Sequence, residues 1–423
     1  MHQRRELSFT CVGRLLRRSL PLMNRHHSDA AGQAQQSQQP SGTQSNAAIT
    51  VIGGGIMGAL TSLLAAQSGF KVNWFGPEES DRTDGAGARN YALSPLTVDL
   101  LKKVGVWAAI DSSSCKVAHM EVFTAGTRVD LSATDAGAEF LSVMVLHQDL
   151  LNALEQAVQF SPQINRIKAR PDHISAGQEE SKVLYNGEIF ATQLIVGADG
   201  ARSWVRQQSG ILWGQRDYQQ YGVVATLQTE HSHGGVAAQW FDQGEILAFL
   251  PLAHPNKVSI VWSTSREDVR APSSALEFQQ ELEKRSNHRF GGLTLISEIS
   301  SAPLRLLVTE AQSALRTVLV GDSGHTVHPL AGYGLNLGVQ DLLSLEELWR
   351  AHKDDPGANS LIQRYEKSRR YRVRRVQWGL DMLQRFVSQS HPTMSKIRRW
   401  GMQLVADIGP LRQFLIRQAI SPQ

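Results

Sequence analysis

The sequence predicts an α/β fold in which a parallel-sheet domain is interrupted by a mainly antiparallel sheet and followed by a helical C-terminal region. Three observations predict it. A strand-like run, Ile49, Val51 and Ile52, enters a GxGxxG turn and then an apolar-periodic helix. Two further apolar runs, 194–196 and 318–320, each deliver a glycine and an aspartate to a loop. Between them, from Tyr218 to about Ser300, residues alternate in period two and are broken by His, Gly, Pro and Asn loops.

The chain has 423 residues, enough for two or three domains with full cores. No apolar run approaches the ~18 residues that a membrane-spanning helix needs. Cys11 and Cys115 stand outside any CxxC or Cys/His cluster, which argues against disulfide frameworks and zinc sites and fits a reducing compartment. The net charge of +4 conceals a division: +4 in residues 1–47, +10 in residues 361–423 and −10 in between. An acidic body with a basic tail argues against nucleic acid and for local contact of one end with something anionic.

Residues 1–47 are Arg-rich and then become a Gln/Ser/Ala/Gly tract with too little apolar surface to fold. This stretch reads either as a transit peptide or as a disordered tail, with Met23 an alternative start. Structure is expected from Ala48. Gly53, Gly55 and Gly58 supply a tight turn, a close backbone approach to a pyrophosphate and close helix–strand packing, the device of a Rossmann-like dinucleotide domain. An acidic residue for a ribose is missing at the end of the second strand, where Gly76 stands with Glu78 and Glu79 beyond.

Arg89 is expected to lead into a helix that buries Leu93, Leu96, Leu100 and Leu101, and it can pair with phosphates or lie on a surface loop. Residues 117–145 read as hairpins with turns at Gly126 and Gly137; 147–158 reads as a helix. Leu194–Val196 forms a buried strand delivering Gly197, Asp199 and Gly200. Val318–Val320 repeats the device with Gly321 and Asp322, followed by a proline-broken loop and a helix from near Leu335. Unpaired N–H groups at such a helix start favour an anionic or electron-rich ligand. His325 and His328 lack a third ligand nearby, so packing and hydrogen bonding outrank a metal role. Near the C-terminus, Val373, Val376, Leu380, Leu383 and Val387 recur at helical spacing among Arg369, Arg370, Arg374, Arg375 and Arg385. Two readings stay open there: packing on the acidic body, or a basic face touching anionic lipid or a membrane-bound assembly.

The segments VIGGGIMGAL, RNYALS, LIVGADGARSWVR, AFLPL with SIVWSTS, and GDSGHTVHPLAGYGLNLGVQD, in this order, resemble the FAD-dependent aromatic hydroxylases of the p-hydroxybenzoate hydroxylase superfamily. More closely, they are similar to the ubiquinone-biosynthesis hydroxylases. The resemblance covers roughly residues 48–415, with Ser323-Gly324 in place of the usual Ala-Ala and Tyr333 in place of Gln. It implies an FAD-binding domain over 48–212, with a β-rich excursion near 117–145, and again over 305–355. A substrate-binding sheet domain would occupy 213–304 and a basic helical region 356–423.

The resemblance further implies that Gly53, Gly55 and Gly58 hold the FAD pyrophosphate with Arg89 nearby. Asp199 and Gly200 would serve FAD and reduced pyridine nucleotide, and Asp322 would take a ribityl hydroxyl. Pro329, Gly332, Gly334, Leu335 and Asn336 would lie along the flavin ring. The implied reaction is O₂-dependent hydroxylation of a polyprenyl phenol in ubiquinone synthesis, through a flavin C4a-hydroperoxide, with NAD(P)H or another electron donor. No acid, base or metal is assigned. The alternatives are a hydroxylase of a small soluble phenol and a non-catalytic FAD-binding subunit of a biosynthetic complex. The implied location is the bacterial cytoplasm, peripheral to the inner membrane, or the mitochondrial matrix face if residues 1–47 are a transit peptide.

Overall fold

Strands that end in glycine are side-by-side neighbours in one sheet, and the alternating strands form another. The computed structural model describes residues 46–77, 89–124, 127–242, 244–327 and 332–388, with side chains as far as 382. The chain runs β1 (Ala47–Ile52), α1 (Ile56–Gln67), β2 (Val72–Phe75), β3 (Asn90–Leu93), α2 (Pro95–Lys103), α3 (Trp107–Ile110), β4 (Cys115–Val117), β5 (His119–Thr124), β6 (Thr127–Ser132), β7 (Ser142–Leu146) and α4 (His147–Gln159). It continues through β8 (Ile164–Ile167), β9 (His173–Ala176), β10 (Ser181–Tyr185), β11 (Glu188–Gly197), α5 (Trp204–Gln208), β12 (Trp213–Thr229), β13 (Val236–Asp242), β14 (Glu245–Pro251) and β15 (Lys257–Thr264). The last part comprises α6 (Glu267–Arg270), α7 (Ala275–Arg285), β16 (Leu293–Leu295), β17 (Ser300–Thr309), β18 (Ser313–Ala314), β19 (Thr317–Leu319), β20 (His325–Thr326), α8 (Tyr333–Ala351) and α9 (Asn359–Ser388).

In the first sheet β19, β11, β1, β2 and β8 are parallel and adjacent in that order. Its centre is buried on both faces, which is why β1 shows so little alternation. Ile49 and Val51 pack towards α1, α4 and α8; Ile52, Ile195 and Leu319 pack on the other side with Phe75 and Val205. Ala47 already pairs with Thr192, so the last residue of the expected tail belongs to the sheet.

The second sheet has the order β20-β17-β12-β15-β14-β13-β5-β6, with β16 beside β12. Its strands run beyond residue 304 to Thr309, and it takes β5 and β6 from residues 119–132, β5 lying parallel to β13. Period-two alternation sorts its residues between two faces. Val223, Ala225, Leu247, Phe249, Ile260 and Trp262 bury themselves against Phe278 and Leu282 of α7. The intervening Val224, Ile246, Ala248, Leu250, Val261 and Ser263 face a cavity.

Three local expectations are corrected. Arg89 enters strand β3 rather than a helix; Ser94 then caps α2, its Oγ accepting from Thr97 N at 3.3 Å with Pro95 in the first turn. Leu93 therefore belongs to the strand, and Leu96 is half-buried. Helix α8 starts at Tyr333, because Gly332 before it adopts a left-handed φ of 65°. Arg369, expected only as one of five arginines distributed around the apolar positions of the C-terminal helix, is set apart from them by full burial, because a buried acid, Asp341, receives it. Gly126, Glu78, Glu79, His328, Pro329, Leu383, Val387, Arg385 and the tail 1–45 lie outside the described residues or side chains.

Candidate functional site

Where the two sheets face one another they enclose a cavity of about 770 Å³. At one end its lining comes from the glycine turn after β1, the loops after β11 and β19, and the start of α8. Gly55, Arg89, Asp199, Gly200, Asp322, Gly332, Gly334, Leu335 and Asn336 all line it. At the other end the lining is the free face of the antiparallel sheet, joined by Val117, Val122, Val129, Leu131 and Met144. A junction between sheet layers with a few convergent polar groups is the usual form of a ligand site.

Gly53 and Gly58 do not line the cavity; they bring α1 against β1. A Cβ on Gly58 would lie 1.8 Å from Gly53 O, and one on Gly53 would lie 2.2 Å from Ala198 O. Trp74 Nε1 donates to Gly53 O at 2.8 Å and fixes the same corner from β2. Gly55 is the N-cap of α1 and supplies no side-chain cap, so the first-turn N–H groups face the cavity mouth. Gly54, not singled out in the sequence, packs on Gly76 at the end of β2: a Cβ on Gly76 would meet Gly54 N at 2.3 Å. The end of β2 is also held by Arg166, which donates to Gly76 O at 2.7 Å and stacks on Trp74.

The two strand-to-aspartate devices differ in how the acid is used. Asp199 Oδ2 accepts from Trp204 N at 2.7 Å and Val205 N at 3.0 Å, while its Oδ1 is buried without a partner. Burial raises its pKa, against hydrogen bonds from Ser203 and the backbone. Asp322 keeps an exposed side chain, which opens onto the cavity rather than into packed side chains. Its enclosure raises its pKa, opposed by His325 and Arg89. Arg206, fully buried, joins the two loops by donating to Ser323 O at 2.7 Å and Ala201 O at 2.8 Å. Ser323 Oγ donates to Gly197 O at 2.6 Å, so the serine that departs from the usual alanine stitches β11 to the Gly321 turn.

Behind that turn sits a buried ionic cluster. Asp341 of α8 accepts from Gly321 N at 2.8 Å, His325 Nε2 at 2.7 Å and Arg369 Nε at 2.6 Å. Burial alone would raise the Asp341 pKa; His325, Arg369 and the Gly321 N–H hold it below the usual carboxylate range. His325 therefore has a hydrogen-bonding and packing role. Tyr365 adds an O–H donor to Leu319 O at 2.7 Å, tying α9 to β19.

Asn336 lines the cavity but its polar atoms are used internally. Its Oδ1 accepts from Ser94 N and Thr97 Oγ1, and its Nδ2 donates to Ala92 O and Gly332 O. It clips β3 and α2 to the start of α8. Tyr333 lines the cavity and packs with Ile246 and Val327, and burial raises its pKa. The sequence reading missed Tyr91 and His147, which also line the cavity with Tyr91 Oη 2.9 Å from His147 Nδ1. Fifty-six positions separate them along the chain, so no local motif joins them.

These features fit FAD. The helix start at Gly55 with Arg89 beside it suits a pyrophosphate, the open Asp322 carboxylate suits a polyol hydroxyl, and the unpartnered Asp199 Oδ1 needs a donor.

Comparison with known proteins agrees. Residues 46–378 match the family described as FAD binding domain. A ubiquinone hydroxylase, UbiL, of Rhodospirillum rubrum is 30% identical over 389 residues, spanning 88% of this chain and 89% of that protein. The 3-demethoxyubiquinol 3-hydroxylase of Escherichia coli is also 30% identical, over 88% of this chain and 98% of its own. Among solved structures, p-nitrophenol 4-monooxygenase of Pseudomonas putida superposes with a TM-score of 0.74 at 15% identity, covering 90% of this chain and all of that one, and so shares the fold. With a family match over most of its length and such relatives beside it, the chain belongs to the FAD binding domain family, in its ubiquinone-biosynthesis hydroxylase branch.

Proposed function

We propose that the protein is an FAD-dependent monooxygenase that hydroxylates the aromatic ring of a polyprenyl phenol in ubiquinone biosynthesis. The observation that carries this reading is the continuity of one cavity from the Gly55–Asp322 end to an apolar sheet face. When bound, FAD supplies the two-electron chemistry with O₂, drawing on NAD(P)H or another donor. The chain's own residues do the rest. First-turn N–H groups of α1 from Gly55 onward and Arg89 would hold the pyrophosphate, with Gly53 and Gly58 setting the close corner that presents them. Asp322 accepts from a ribityl hydroxyl and Asp199 Oδ1 from a further donor, with Gly200 beside it. Gly332, Gly334 and Leu335 line the ring, and the α8 start favours electron density there by ~0.3–2 kcal/mol. Asn336, beside them in the cavity lining, holds that helix start in place through its side-chain hydrogen bonds. Pro329, which the resemblance places along the ring, lies outside the described residues.

Val122, Val224, Ala248, Leu250 and Val261 hold the apolar tail and keep water from the reacting centre. Tyr91 Oη and His147 Nδ1 form the acid–base pair through which a phenolic proton leaves the ring. The apolar extent of the wall supports a prenylated substrate over a small soluble phenol. The proposal also includes the expected division into domains, membership of a biosynthetic complex and a site of action against a membrane. That site is the bacterial cytoplasmic face, or the mitochondrial matrix face. No described helix is long and apolar enough to cross a bilayer.

Deleting the gene and profiling quinone intermediates tests the reading. A prenylated ring lacking one hydroxyl is expected to accumulate; an unchanged profile overturns it. Purified holoprotein should consume O₂ on addition of that accumulated compound and the electron donor.

A further inference from the structure

Helix α9 carries two unlike faces. At ~100° per residue, Tyr365, Arg369, Val373, Val376 and Leu380 fall together on the side that meets the body. On the opposite side, Arg364, Lys367, Tyr371, Arg374, Arg375, Trp378 and Met382 lie within about 60° of Tyr371. All seven are exposed: Tyr371, Trp378 and Met382 leave 66%, 68% and 48% of their surface open. Arg375 lies over the Tyr371 ring, 5.5 Å from its centroid. Among the described residues none of these four cations has a carboxylate partner. The helix's acids are turned inward, Glu366 accepting from Gln312 N and Asp381 pairing with Arg216. Cations flanking a line of aromatic and thioether side chains are complementary to an anionic, apolar-cored surface.

The inner face matters equally. Val376 and Leu380 pack on Ile246, Val327 and Tyr333, and these three line the cavity. One helix thickness therefore separates the exposed stripe from the cavity wall.

We propose that an anionic lipid bilayer docks on the stripe from Arg364 to Met382. Docking sets the Ile246–Val327–Tyr333 wall at the membrane, so that a lipid-soluble phenol enters past Val376 and Leu380. The docking stands on α9 alone, whereas the entry route rests on the proposed substrate.

The test is co-sedimentation of the FAD-loaded full chain with phosphatidylcholine vesicles, with and without phosphatidylglycerol, at low salt. Sedimentation is expected with the anionic vesicles and is expected to fade as salt rises. Each neutralised cation should weaken partition by roughly fivefold. The variant Arg364→Gln/Lys367→Gln/Arg374→Gln/Arg375→Gln should thus lose roughly six hundredfold, and Trp378→Ser should lose less, with the flavin spectrum unchanged in both. Equal sedimentation of the fourfold variant, equal binding to neutral vesicles, or no sedimentation at all overturns docking. So does elution of the parent as an oligomer that the fourfold variant breaks without any vesicle binding, since a second copy then covers the stripe. If vesicle binding behaves as expected but the fourfold variant oxidises vesicle-borne long-chain phenol as fast as the parent, the entry route is wrong. If the parent oxidises neither long- nor short-chain phenol, the proposed substrate fails while docking stands.

Discussion

At the parallel-sheet end of the cavity, glycines bring backbone within 1.8–2.3 Å of where a Cβ would sit, and two aspartates are placed by strand ends. At the antiparallel-sheet end, alternate apolar side chains from several strands make a smooth wall. The first region recognises by backbone position and tolerates almost no change. The second recognises by shape and area, which respond gradually to substitution. Flavin loading and substrate selection should therefore separate under mutation.

The largest effect is expected from Gly58→Val, whose branched side chain would collide with Gly53 O and push α1 off β1. No soluble flavin-bearing protein should be recovered; a yellow, cooperatively melting product would show that the corner has more slack than its contacts indicate. Next is Asp341→Ala, which leaves Arg369 and His325 buried without their anion. A loss of about 3–5 kcal/mol in denaturant unfolding is expected. The two acids at the Gly321 turn should also respond oppositely to pH. The depressed Asp341 pKa contributes stability above the ordinary carboxylate value of about 4, lost as pH falls towards its folded value. The raised Asp322 pKa costs the flavin-free fold stability at neutral pH, regained as pH falls from its folded value towards about 4. Comparing melting against pH for the flavin-free parent and Asp322→Asn separates the two.

Asp322→Ala should abolish the flavin spectrum while leaving the fold intact; full flavin occupancy would remove Asp322 from the site. The smallest effect is expected on the wall. Ala248→Phe should retain flavin and raise KM for a long-chain phenol by about tenfold, or ~1.4 kcal/mol, leaving a short-chain analogue nearly unaffected. Equal effects on both chain lengths would place the tail elsewhere.

The contrast also explains what the sequence disclosed. The glycine corner and both strand-to-aspartate devices were legible because their physics is local: a few consecutive residues fix strand, turn and helix start. The β12–β15 alternation was legible, but which face met the cavity depended on α7 covering the other. Tyr91 of β3 meets His147 at the start of α4, Arg206 reaches Ser323 from α5, and Arg369 of α9 finds Asp341 of α8. None of these pairs leaves a spacing signal. Arg369 in particular reads as one more cation in an Arg-rich helix. Asn336 shows the converse: its place in the motif was legible, its role as a clip was not, because its partners Ser94 and Ala92 lie far back in the chain.

The pairing of β1 with β11 and of β11 with β19 has a consequence for biosynthesis. Thr50 is in register with Ile195, and Ile195 with Thr317. At ~5–20 residues per second on the ribosome, the N-terminal strand waits roughly ten seconds to a minute for the last of these neighbours. Asp322 is made after that, and α9, which locks its turn through Arg369, later still. The nascent chain thus holds half a nucleotide cradle for most of its synthesis, and cofactor capture becomes a late event that seals the sheet rather than seeding it.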